Sequence, residues 1–239
     1  MKAMPHPAGR VILVSGASRG IGRAIAEELY AQGYSLSLGV RDPAKLAGEL
    51  AGRDQMRLHF ARFIAEDWAT HRGWIDAAAA RFGRIDGLVN NAGTHSKMTL
   101  RAPDEAELDR VWAINCKAPL NLIHCALPHL EAGGAGRIVN IASLSGKRVR
   151  NDMVAYNMSK FALIALNHAA RRIGWEKGVR ATAICPSFVS TDMSIGAAFP
   201  FDEMTTPQEI ARLAATAISL PNNAVVAEML VNCRLEDTL

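Results

Sequence analysis

The stretch Val11-Ile12-Leu13-Val14-Ser15-Gly16-Ala17-Ser18-Arg19-Gly20-Ile21-Gly22 decides how this chain folds. Four apolar residues run without alternation, as in a strand buried on both faces of a parallel sheet. A glycine-rich turn follows, and apolar residues then recur at Ile21, Ile25 and Leu29 before Gly33, which is the spacing of one helical face. Strand, turn and helix in this order are the setting in which a glycine motif carries meaning. The glycines turn the backbone tightly and let it approach a pyrophosphate at the positive end of the helix. The spacing Gly16-x-x-x-Gly20-x-Gly22 is one residue wider than the common dinucleotide fingerprint. Taken alone, a glycine turn that holds no ligand competes with this reading.

The same alternation continues outward. Leu36 to Val40 reads as a second strand and ends at Arg41. Dinucleotide-binding units often place a carboxylate here for the ribose 2′-hydroxyl, whereas a guanidinium suits a 2′-phosphate. Arg41, with Arg19 as a second positive charge, therefore favours NADP(H) over NAD(H). The competing reading leaves Arg41 solvated and gives the ribose to Asp42. Met56 to Phe60 is a third strand, and a helix bearing Trp68, Trp74 and Ile75 ends near Gly83, its tryptophans read as packing. Leu88-Val89 leads into Asn90-Asn91-Ala92-Gly93, a further buried strand entering a small-residue turn.

Asp104-x-x-Glu107 is a capping-box pattern that opens a helix through Leu108, Val111, Trp112 and Ile114. Pro119 lacks an N–H, so the carbonyl of Asn115 should lose its helical partner, kink the helix and offer a seat for a water. A kink without function is the alternative. Arg137 to Ile141 is the fifth strand and delivers Ser143 to the carboxyl edge of the sheet, where open α/β sheets bind ligands. Ala181 to Ile184 is the sixth, closed by Cys185-Pro186-Ser187. Phe188 to Thr205 reads as a loop long enough to cover a ligand. Thr206-Pro207-Gln208-Glu209 starts the last helix, and Val225-Val226 with Met229 to Val231 reads as a final strand. Strands alternating with helices imply one α/β domain over residues 1–239, a doubly wound parallel sheet of about seven strands. Residues from about 10 to 115 form the cofactor half and those from about 116 to 239 the catalytic and substrate half.

Tyr156-Asn157-Met158-Ser159-Lys160 places a phenol and an ammonium on one helical face. A nearby ammonium should draw the Tyr156 pKa down from about 10, giving a group that trades a proton with a carbonyl or an alcohol. Alone, this spacing is common enough to arise by chance.

Composition is that of an ordinary globular chain, 49% hydrophobic and 21% charged. No composition break, repeat or linker divides it. The charge of +4 is scattered apart from Lys147, Arg148 and Arg150, which argues against a nucleic-acid stripe. Those three charges tilt the reading towards an acidic or carrier-bound substrate, although a solvated loop accounts for them more simply. Cys116, Cys125, Cys185 and Cys233 show no paired spacing and read as buried thiols in a reducing compartment, with no metal site. Met1 to Arg10 has no apolar core for a leader, and no apolar run is long enough to span a bilayer, so a cytoplasmic location is expected.

Placed in order, these pieces resemble the short-chain dehydrogenase/reductase family over nearly the whole chain. Gly16, Gly20 and Gly22 come first, then Asn90 to Gly93, Asn115, Ser143, the Tyr156/Lys160 pair, and Pro186 with Thr191. The resemblance implies a Rossmann fold and a nicotinamide-dependent oxidoreductase acting on a ketone or secondary alcohol. A 3-oxoacyl group is the first candidate substrate and a sugar, polyol or other secondary alcohol the second. A catalytically silent NADP(H)-binding sensor or scaffold is the reading from another class.

The resemblance also implies residue roles. Tyr156 is the general acid/base, and Ser143 binds the substrate carbonyl. Lys160 tunes Tyr156 and holds the nicotinamide ribose, while Asn115 keeps a water linked to Lys160. Gly16, Ser18, Arg19, Gly20, Ile21, Gly22, Arg41, Asn91, Ala92, Gly93, Pro186, Val189 and Thr191 line the cofactor, with NADP(H) preferred and NAD(H) as the second choice. Three positions depart from the pattern. Phe63 and Ile64 stand where an adenine-reading Asp is frequent, Pro186-Ser187 replaces Pro-Gly, and Val231 to Leu235 lacks the frequent Asp-Gly-Gly ending. A homodimer or homotetramer is the family expectation.

Overall fold

The computed structural model describes residues 6–236; Met1 to Pro5 of the expected leaderless start, and the last three residues of the single-domain assignment, lie outside them. β1 (Val11–Ser15) is buried at every position and runs into α1 (Gly20–Ala31). β2 (Ser35–Val40), α2 (Pro43–Glu49), β3 (Leu58–Arg62), α3 (Trp68–Phe82) and β4 (Gly87–Asn90) complete the first half. α4 (Glu105–Trp112), α5 (Ala118–Ala132), β5 (Arg137–Ile141), α6 (Val154–Gly174), β6 (Arg180–Pro186), α7 (Pro207–Ser219) and β7 (Glu228–Val231) form the second. The seven strands make one parallel sheet in the order β3-β2-β1-β4-β5-β6-β7. The strand order reverses between β1 and β4, so the crevice for a ligand opens at their carboxyl ends.

Two apolar layers explain why the strands show no alternation. Ile12 and Val14 of β1 pack with Ile25, Leu29, Leu46, Ile210 and Ala214 from α1, α2 and α7. Val11 and Leu13 face the other way, onto Trp74, Ile75, Leu122 and Ala126 from α3 and α5. A strand with a helix layer on each side has no polar face to display.

Several boundaries differ from the sequence reading for local reasons. Asp54 caps a 3-10 turn at Gln55–Arg57, which delays β3 to Leu58. Asp42 caps α2 by accepting the Lys45 amide, and Pro43 follows at its start; this short helix was not foreseen. β6 is longer than expected because its pairing with β7 continues to Pro186 opposite Val231, and Val225-Val226 lies outside β7. Trp74 is buried, but Trp68 is half exposed and is not a packing residue. The capping box at Thr206/Glu209 forms in both directions, whereas Glu107 turns to Arg110 and leaves only Asp104 as a cap.

The kink expected at Pro119 takes another form. Ala113–Lys117 is a single π-helical turn between α4 and α5, with Pro119 in the first turn of α5. The extra residue of a π turn rotates the side chains that follow, and such turns concentrate at functional sites. Here it directs Asn115 inward, where it is 1% exposed.

Candidate active site

The glycine turn is held open by its neighbours. Gly16 and Gly20 take φ of 69° and 56°, which side-chain-bearing residues rarely adopt. At Gly22 a Cβ would fall 2.3 Å from Asn91 Nδ2 and 2.4 Å from the Gly16 carbonyl. The loop therefore requires bare backbone where α1 begins. Arg19 at the helix start gives no side-chain cap, so the first amides of α1 point outward without a protein acceptor from that residue. Such a cradle fits a pyrophosphate. Among the named cofactor residues, Ser18 is exposed and Ile21 packs against the core beneath.

Asn91 ties this loop to the end of β4. Its amide Nδ2 donates to the carbonyls of Ser15 at 3.0 Å and Gly16 at 3.2 Å. Ser15 contributes as much and was not singled out from sequence. Its hydroxyl accepts the amides of Asn91 at 3.0 Å and Ala92 at 3.1 Å, welding β1 to β4 across the switch point. Thr191 faces the same cradle, since a Cβ on Gly20 would lie 3.4 Å from Thr191 Cγ2. Val189 is buried and accepts the Thr191 amide through its carbonyl at 2.8 Å.

The charged residues divide unevenly. Arg41 follows β2 and is exposed, while Asp42 is occupied as the cap of α2, so the reading that gives the ribose to Asp42 loses ground. Arg19 is engaged differently from expectation: its guanidinium meets Asp192 at 2.6 Å, linking the glycine loop to the segment after Thr191. Phe63 does not border the crevice but packs in the core, 5.0 Å from the His71 ring and 5.4 Å from Trp74.

Asn115 binds the loop after Gly93 with both ends of its amide. Its Oδ1 accepts the Thr94 amide at 2.9 Å, and Nδ2 donates to the Thr94 carbonyl at 2.8 Å and to Ser159 Oγ at 2.9 Å. Ser159, another residue the sequence did not flag, passes the link on to the Tyr156 carbonyl at 2.7 Å. Gly93, Asn115 and Lys160 converge: a Cβ on Gly93 would stand 3.4 Å from Asn115 Oδ1 and 3.9 Å from Lys160 Nζ.

Ser143 follows β5, donates weakly to the Pro186 carbonyl at 3.5 Å, accepts the Ser145 amide at 3.1 Å and stands beside the Tyr156 phenol. Lys160 is 6% exposed, donates to the Ile141 carbonyl at 3.0 Å, and lies 5.6 Å from the Tyr156 ring centre. Tyr156 as a residue is only half-buried, yet desolvation of its phenol pushes its pKa up, with the Ser143 hydrogen bond opposing. This corrects the expectation of a phenol drawn down by Lys160. Burial of the ammonium brings Lys160 itself down to about 8. An amine so desolvated, held to a carbonyl and set beside the ring, lowers the phenol little. The four cysteines are free, though Cys116 and Cys233 are half-buried, not buried as expected.

Comparison with known proteins agrees with this arrangement. The model of the short chain dehydrogenase family matches residues 10–198. An agropine synthesis reductase from Rhizobium rhizogenes is 47% identical over 228 residues, covering 95% of this chain and 53% of that protein. The chain thus spans about half the length of that relative. A metagenomic short-chain oxidoreductase solved in complex with NADP is 31% identical, with a TM-score of 0.81 over 97% of this chain and all of that one. The 3-ketoacyl-(acyl-carrier-protein) reductase of Brucella melitensis, solved with NADH, is 24% identical and shares the fold, with a TM-score of 0.85 over 95% of this chain and 98% of that one. The chain belongs to the short-chain dehydrogenase family of nicotinamide-dependent oxidoreductases.

Proposed function

We propose that this chain reduces a ketone to a secondary alcohol with NADP(H) as the preferred cofactor, Tyr156 supplying the proton. The carrying observation is the Tyr156 ring centred 5.6 Å from the Lys160 ammonium, its phenol beside Ser143 and kept neutral by burial. A neutral phenol suits a general acid, which favours reduction over alcohol oxidation. The bound nicotinamide supplies or accepts a hydride. Ser143 orients the carbonyl oxygen and donates to it as negative charge develops. Lys160, fixed on the Ile141 carbonyl, offers its remaining protons towards the ribose and the phenol. Asn115 positions the loop after Gly93 and, through Ser159, the turn of α6 that carries Tyr156. The water assigned to Asn115 belongs on its main-chain carbonyl, since its side-chain amide is engaged at both ends.

NADP(H) is favoured by exposed Arg41 and by the engagement of Asp42 as a helix cap. The solved relative bound to NADP supports the same choice, and NAD(H) remains the second. A 3-oxoacyl or sugar-like ketone is the substrate class; the agropine synthesis relative, a reductase by name, gives weight to reduction. Replacing Tyr156 with Phe removes the transferable proton and should abolish ketone-dependent NADPH oxidation while NADPH still binds. Full residual turnover would overturn the assignment. The Arg41→Asp variant should shift kcat/KM towards NADH; an unchanged preference refutes the role given to Arg41.

A further inference from the structure

We propose that Arg148 and Ser187 form a carboxylate-binding subsite beside Ser143, and that the Glu236 side chain occupies it in place of a substrate carboxylate. The proposal rests on the carbonyl-reductase reading and narrows its substrate to oxo acids. Arg148 leaves the same short turn as Ser143, its amide donating to the Leu144 carbonyl at 3.1 Å. Ser187 follows Pro186, whose carbonyl accepts the Ser143 hydroxyl. Glu236 bridges the two segments: one carboxylate oxygen takes the Arg148 guanidinium and the other the Ser187 hydroxyl.

The pair is withdrawn from water, with side-chain exposures of 14% for Arg148 and 5% for Glu236. This overturns the solvated-loop reading for Lys147 and Arg148, while Arg150 is exposed. Lys147, its neighbour, is committed elsewhere, to Glu228 at 2.9 Å, and Arg148 is the cation that shares a carboxylate with Ser187. A buried ion pair adds little stability over an apolar substitute, because desolvating both charges offsets their attraction. A guanidinium, a hydroxyl and a carboxylate in one dry pocket are better accounted for by recognition: the fork of an arginine matches a carboxylate. The segment that delivers Glu236 packs on the loop after Ser187. Arg234 rests 5.0 Å from the Phe199 ring centre, and Phe199 stacks on Phe188 at 5.5 Å. In this proposal a substrate carboxylate takes the place of the Glu236 side chain on Arg148 and Ser187.

The test has a binding arm and a turnover arm, both on the full chain. Calorimetry with hexanoate, against 1-hexanol as the uncharged probe, reads the subsite without any reaction. Hexanoate should bind the native chain, bind Glu236→Gln at least about tenfold more tightly, and bind Arg148→Met at least about tenfold more weakly. Arg148→Lys should recover part of the loss, and 1-hexanol should distinguish none of the variants. Equal hexanoate affinity for the native chain and Arg148→Met overturns the proposal. Should Glu236→Gln be too unstable to purify, the Arg148→Met and Arg148→Lys pair still decides it.

In the turnover arm, methyl-ketone carboxylic acids of increasing length are compared with the matching ketones that lack the acid group. Arg148→Met should raise KM for the acids alone and leave the kcat of the uncharged ketones intact. An equal rise for both sets refutes the subsite. If no carbonyl compound is reduced by the native chain while hexanoate binding follows Arg148 as described, the reductase reading fails and the subsite stands.

Discussion

Replacing Lys160 with Met should make the protein more stable near neutral pH while removing its activity. The ammonium is 6% exposed, and its burial moves the pKa from 10.5 to about 8. At about 1.4 kcal/mol per pH unit, holding that charge in the fold costs about 3 kcal/mol at neutral pH. A methionine of similar length removes this cost but gives up the hydrogen bond to the Ile141 carbonyl, worth about 1–2 kcal/mol. The variant should therefore gain about 1–2 kcal/mol at pH 7.

The sign depends on pH. Because the folded-state pKa is the lower one, the cost is fully present below about 8 and fades as pH rises towards 10.5. Near pH 10 only about 1 kcal/mol remains, and the lost hydrogen bond makes the variant the equal of the native chain or less stable. Cys116 and Cys185, raised by burial to about 11 and about 12, weaken both proteins above about pH 9, and because Lys160 lowers both thiols its removal makes that alkaline loss larger in the variant. Urea denaturation of both proteins at the two pH values is the assay. A variant less stable than the native chain at pH 7, or a difference that does not change with pH, would refute the reasoning.

Three further outcomes follow from the geometry. Gly22→Ala places a methyl group against Asn91 Nδ2 and the Gly16 carbonyl, so it should cost about 1–3 kcal/mol in denaturation and weaken NADPH binding at least about tenfold; native-like affinity in a calorimetric titration contradicts the cradle. Asn115→Ala strands the Thr94 amide and carbonyl and frees Ser159, which should cost about 3 kcal/mol and lower kcat more than it changes NADPH affinity; a loss below about 0.5 kcal/mol counts against the link. Asp192→Asn releases Arg19 from an exposed pair, so stability should change by less than about 1 kcal/mol while affinity for NADPH rises relative to NADH. Equal changes for the two cofactors would deny Arg19 a part in binding the 2′-phosphate.

The local half of this protein is legible in its sequence. Val11 to Gly22 announces a buried strand, a turn that tolerates only glycine and a helix, because each property depends on neighbouring residues. Parallel βαβ connections return the strand ends that carry Asn91 and Ser143 to the same side of the sheet, and the family resemblance grouped Asn115, Tyr156 and Lys160 with them.

Contacts between distant segments were not legible. Ser15 as the bolt between β1 and β4, and Ser159 as the link from Asn115 to Tyr156, are short hydroxyls whose partners lie 76 and 44 positions away. The direction of the Tyr156 pKa also escaped the sequence. Spacing reports that Lys160 is near the phenol, but only packing decides that both groups are desolvated and that one ammonium proton goes to a backbone carbonyl. The same holds for the basic cluster. Three charges within four residues say nothing about exposure, and tertiary structure alone sends Lys147 to Glu228, and Arg148 to the Glu236 carboxylate that also takes the Ser187 hydroxyl. Residue order therefore determined the fold and nominated the residues of the candidate site, because strand, turn and helix preferences are set locally. Protonation states, ion-pair partners and the pocket were decided by the tertiary structure, because they depend on which groups exclude water from one another.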